Sequence, residues 1–187
     1  MKKKIALAAL VLLLVCGMAG GTTAYYTPTG QAVNVITMGG IDVELHEWAD
    51  MEGNPFEDVI GVTPGREVPK IVFAENIGPN EAWVRLRLEK GVQLAEGVEG
   101  EVDLAQVVLD LNTADWTEQG GWYYYNHKLL PGEKSVPLFT TVSFAEEMGN
   151  LWQGSSVTIH VVMQAVQVAN NGASVLEAAG WPEPPAE

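Results

Sequence analysis

Trp83-Val84-Arg85-Leu86-Arg87-Leu88 alternates without a break: Val84, Leu86 and Leu88 fall on one side, Trp83, Arg85 and Arg87 on the other. A period of two is the signature of a strand with one face buried. The longest run of the same kind is Ser156 to Val168, where Val157, Ile159, Val161 and Met163 face one way. Working outward, Ile41, Val43 and Leu45 alternate with Asp42, Glu44 and His46, and Val33 to Ile36 suits a strand ended by Gly39-Gly40. Lys70 to Ala74, Trp122 to Tyr125 and Val136 to Phe144 complete the clear strands, and Val59-Ile60 is a short apolar piece. Pro64-Gly65, Asn76 to Asn80, Gly120-Gly121 and Leu130 to Glu133 supply turn residues between them. Val102 to Leu111 fits a helical face or a strand equally well. Ala145 to Trp152 and Ala173 to Ala179 read as short helices. Roughly eight short strands separated by Gly, Pro and Asn turns predict a mainly β chain. The expected architecture is an antiparallel β-sandwich or jelly roll with one or two short helices. No repeat or linker divides residues 25–187, so a single domain is expected there, with a disordered tail over 182–187.

The first 24 residues have a different character. Lys2, Lys3 and Lys4 precede an apolar run from Ile5 to Val15, and small residues follow up to Thr22-Thr23-Ala24. This is the pattern of a secretory signal peptide, cleaved between Ala24 and Tyr25. The run is too short for a convincing membrane span, so no stable span is expected after cleavage. Cys16 is a poor lipidation site, because Leu13-Leu14-Val15 lacks the small residue wanted before a lipidated cysteine.

Cleavage removes three of the ten basic residues and the only cysteine, leaving seven Lys and Arg against 24 Asp and Glu, a formal charge of −17. No disulfide can then form within the mature chain, so packing must hold its core. The acidity argues against nucleic acid or an anionic membrane as a partner. It is compatible with weak calcium binding, although a solvated acidic surface accounts for it more simply.

Catalytic motifs are sparse. His46, His127 and His160 show no i, i+4 spacing, and His46-Glu47-Trp48-Ala49-Asp50 has Asp50 where a zinc-protease helix needs its second histidine. The fold could still gather the three histidines around zinc. No Gly-x-Ser-x-Gly elbow or phosphate loop is present, and no carboxylate pair stands out as glycosidase-like. No cofactor is therefore expected. Trp122 to Tyr125 could stack on sugars, but in a β protein such a cluster more often divides between core and cross-strand pairs. Arg85 and Arg87 could grip carboxylates of a neighbouring strand or subunit, with a solvated strand face as the plainer reading.

Several pieces in order resemble one family. Gly20-Gly21-Thr22-Thr23-Ala24-Tyr25-Tyr26-Thr27 is similar to the region read by the SipW type of signal peptidase. Val62-Thr63-Pro64-Gly65, Lys70, Asn76-x-Gly78 and Ala82-Trp83-Val84-Arg85-Leu86 resemble a stretch of the camelysin/TasA family. Trp122 to Asn126, Leu129 to Glu133, Pro137-Leu138-Phe139, Gln164 to Gln167 and Trp181 resemble blocks of related exported proteins of Gram-positive bacteria. The resemblance implies a jelly-roll domain secreted to the cell surface or the biofilm matrix. It implies a fibre subunit that self-associates by donating its N-terminal strand once signal peptidase frees it. The donor would run from Tyr25 to about Met38 and include Tyr26, Val33 and Val35. Such donation is β-augmentation, with main-chain bonds giving affinity and alternate side chains filling pockets. Pro28 lacks an N–H and restricts the register near the start. The same resemblance carries the label of a metalloendopeptidase, which no zinc motif here supports. An enzyme is thus the less favoured reading, and a monomeric ligand-binding module is the remaining alternative.

Overall fold

The computed structural model describes residues 35–38, 40–57 and 59–182. The signal segment, Ala24, Tyr25, Tyr26 and Val33 lie outside the described residues, as do 183–187 of the expected tail. Ten strands account for most of the regular structure: β1 (Val35–Met38), β2 (Val43–Trp48), β3 (Val59–Gly61), β4 (Glu67–Asn76), β5 (Ala82–Gln93), β6 (Val107–Leu109), β7 (Trp116–Gln119), β8 (Trp122–Tyr125), β9 (Phe139–Phe144) and β10 (Ser156–Gln167). One sheet has the order β1-β10-β5-β8-β7, with β3 also on β10, and the other has the order β2-β4-β9-β6. Every pairing between these strands is antiparallel except that of β1 with β10. Their inner faces form one core, in which Val84, Leu86, Val157, Val161 and Met163 of the first sheet join Val72, Ala74, Phe139, Val142 and Phe144 of the second. This is a β-sandwich, built on the alternation that β5 and β10 display in sequence.

The backbone of the first sheet is the β5–β10 pair, in register from Ala82 opposite Gln167 to Gln93 opposite Ser156. Each buried Leu, Ile, Val or Phe side chain contributes about 1.5–3 kcal/mol of apolar burial, so this double row dominates the packing. At Gly120 (φ 62°) and Gly121 (φ 79°) two consecutive left-handed residues turn β7 into β8, as a two-residue hairpin loop requires. In the second sheet the β4–β9 register shifts between Pro69 and Val72. There the Asp110 carboxylate accepts the N–H groups of Thr140 (2.8 Å) and Thr141 (2.7 Å) and the Thr140 hydroxyl (2.5 Å). It thereby satisfies main-chain donors that an irregular ladder leaves unpaired.

The expected helices take another form. Within 145–152 only Asn150–Trp152 is helical, a single 3-10 turn, and a second one spans Leu104–Gln106 just ahead of β6. Met148 and Trp152 are buried four residues apart, which imitates helical spacing, but Gly149 and Gly154 bracket the turn and confine it. Residues 173–179 form turns rather than a helix. Asn171 closes them by accepting Ala179 N–H (2.8 Å) at its Oδ1 and donating from Nδ2 to Ala179 O (3.0 Å).

Candidate functional site

Candidate residues fall into three groups: the outer edge of β10, the histidines, and the outer face of the first sheet. Along one side β10 bonds β5 over its whole length. Along the other it meets β3 only at Ser156 to Thr158 and β1 only from Met163 to Val166. Among the described residues, Ile159 to Val162 have no strand on that side. Alternate residues of a strand direct N–H and C=O to opposite edges, so a strand lying along this stretch would find main-chain groups to bond. Its core-facing side chains, Ile159 and Val161, are buried, while His160 is exposed. Val35 opens β1 opposite Met163, in parallel register, and packs partly against the core. Among the described strands β1 bonds to β10 alone.

The histidines go to separate places. His46 on β2 bonds Glu75 of β4 at 2.8 Å, lies 4.0 Å from Glu44 and stacks on Phe73. His127 follows β8, exposed, 3.4 Å from Asp115. His160 is on β10. Each of the first two is held by carboxylates and aromatic rings of its own surroundings, and no three are gathered. Among the described residues no group of three or more His, Cys, Asp and Glu is placed to hold a metal ion.

The third place is the outer face of the first sheet, and here the structure departs from the sequence reading. Arg85 is not on a solvated face. Its guanidinium lies between the rings of Trp122 (4.1 Å) and Trp181 (4.5 Å). It donates to Gln164 Oε1 from Nε (3.0 Å) and Nη2 (2.6 Å), and to the Tyr124 hydroxyl from Nη1 (2.8 Å). Burial pulls the Arg85 guanidinium below its ordinary value, partly opposed by the bond to Tyr124. Trp83, Val162, Val166, Val175 and Ala178 complete a second apolar cluster beneath the C-terminal segment. Trp83 anchors that segment by donating to Asn171 O (3.1 Å). Trp83 shares the arginine face of β5, and that large aromatic was the sequence sign that the face is covered. Trp122 to Tyr125, for which core is favoured over a sugar-stacking surface, are largely covered as that reading expects. Trp122 and Tyr124 are 8% and 9% exposed in this cluster, and Tyr125 packs in the main core.

The residues that carry the family resemblance have structural work within the described fold. Asn76 is fully buried: its Nδ2 donates to Asn80 O (2.7 Å) and Leu129 O (2.8 Å), and its Oδ1 accepts Gly78 N–H (3.0 Å). Gly78 lies so close to Asp42 that a Cβ would stand 2.8 Å from its main-chain nitrogen. Lys70 is buried and paired with Glu47. With this geometry in view, no family model, no curated protein and no solved structure matches the chain.

Proposed function

We propose that the mature chain, beginning at Tyr25, is a secreted structural protein of a Gram-positive cell surface or biofilm matrix. In this reading copies join into fibres when the N-terminal segment of one lies along β10 of the next. The observation that carries it is the pairing of β1: parallel and, among the described strands, bonded to β10 alone. Such a strand can exchange between copies, because the same bonds form whichever copy supplies it. Signal-peptidase cleavage frees the donor, so export and assembly are coupled. The resemblance to the camelysin/TasA family points the same way.

The mature chain lacks cysteine, which makes a cross-linking test clean. Val35 and Met163 are direct partners across β1 and β10, and neighbouring strands bring Cα atoms within disulfide range. Cysteines at both positions, oxidised after assembly, are expected to give a covalent ladder of multimers on a denaturing gel. Monomers alone, closed on themselves, would refute strand exchange at this edge.

A further inference from the structure

The strongest unexplained feature outside the β10 edge is the environment of Lys70. Its side chain is 1% exposed, on the core side of β4. Asp50 begins the arrangement by accepting the N–H groups of Glu52 (3.0 Å) and Asn54 (3.2 Å), which folds the chain back after β2. Pro55 then bridges to Trp48, and Phe56 N–H donates to Glu47 O (2.9 Å). That return lays the Phe56 ring 4.2 Å from Lys70 Nζ. Glu47 stands opposite Val72, two residues along β4 from Lys70, and its carboxylate meets Nζ directly. Among the described residues Glu47 is the only hydrogen-bond acceptor of Nζ. An ammonium carries three donors; here one is bonded and one ring covers the group, while the Glu47 side chain keeps 21% of its surface exposed. A buried ammonium with one hydrogen bond bears a desolvation penalty that a single carboxylate only partly offsets.

From this geometry we propose that Lys70 and Glu47 condense into an intramolecular amide, a covalent cross-link between β4 and β2. Nζ passes one proton to the Glu47 carboxylate, and the amine lone pair then attacks Cδ. The Nζ–Cδ bond forms, a C–O bond breaks, and the second proton from nitrogen leaves with that oxygen as one water. No oxidant or co-reactant is needed, and both charges vanish. Fixed juxtaposition makes the step intramolecular and gives it a high effective concentration. The product keeps one N–H and one C=O in place of a buried ammonium and a partly exposed carboxylate. In a mature chain without cysteine, this bond closes the loop between residues 47 and 70 as a disulfide would. The inference does not depend on fibre formation.

Intact mass spectrometry of the folded, secreted protein tests it, read against the mass of the same N-terminus calculated from sequence. The expected mass is lighter by one water, with a branched peptide joining Glu47 and Lys70 after digestion. The Lys70→Arg variant, which keeps the charge but cannot condense, is expected at its full sequence mass. Full sequence mass for the wild-type protein would overturn the proposal, as would a water loss that persists in Lys70→Arg. Should that variant fail to fold, the wild-type mass and the branched peptide decide the matter.

Discussion

Replacing Trp181 by alanine removes the outer half of the arginine stack while leaving the sandwich core untouched. The ring lies over the Arg85 guanidinium at 4.5 Å and meets Tyr124 edge-on at 5.8 Å, and its indole N–H donates to Ala178 O at 3.0 Å. A half-buried cation–π contact is worth about 1 kcal/mol, the aromatic pair about 0.5–1 kcal/mol and the hydrogen bond about 1 kcal/mol. These overlap, so the expected loss is about 2–3 kcal/mol, or about 5–10 °C in Tm for a chain of this size. Trp181→Phe keeps the ring and loses the donor, and is expected to cost about 1 kcal/mol. Urea denaturation of Trp181→Ala, Arg85→Met and the double variant completes a cycle, in which the two sites should couple by about 1 kcal/mol. Additive losses would show that the stack carries no energy of its own. A Trp181→Ala protein within about 0.5 kcal/mol of wild type would refute the view that the C-terminal segment is locked on through this ring.

Three further substitutions probe the loops and the irregular ladder. Asn76→Ala removes three side-chain bonds, but Leu129 O keeps Ala82 N–H and Gly78 N–H keeps Asp42 O, so equilibrium denaturation should show a loss of about 2 kcal/mol. Gly78→Ala pushes a methyl against the Asp42 backbone and should cost about 1–3 kcal/mol in the same assay, since backbone cannot yield as a side chain can. For Asp110, burial alone would raise the carboxyl, but the Thr140 hydroxyl and the Thr140 and Thr141 N–H groups outweigh it and hold it below the ordinary range. A depressed folded value stabilises above the unfolded value of about 3.9 and is lost as pH falls through the folded one, so Asp110→Asn should flatten the stability profile in that acid range.

The sandwich was legible because its two central strands obey a period of two with few exceptions. Val84 and Leu86 face the core, as do Val157, Ile159 and Met163, all as their alternation requires. Strand ends were harder to place. The Lys70 to Ala74 strand extends to Glu67–Asn76, and the one expected from Val136 begins only at Phe139. In β4 Lys70 to Ala74 are all buried, since Ile71 and Phe73 are covered on the far face while Val72 and Ala74 enter the core. Continuous burial erases the alternation that marks a strand's extent. Where short helices were expected, the buried pairs Met148 with Trp152 and Val175 with Ala178 are carried by turns instead. Arg85 was misplaced because its partners, Trp122, Gln164 and Trp181, lie far along the chain, and only the fold assembles them. The parallel pairing of β1 with β10 has no sequence signature either, because register between distant strands is set by packing.

Electron microscopy of the purified protein beginning at Tyr25, beside a sample carrying a few extra residues ahead of Tyr25, tests the central claim most directly. Strand exchange through a freed N-terminus predicts fibres in the first sample and none in the second. Monomers in both, across a range of salt and pH, would contradict it.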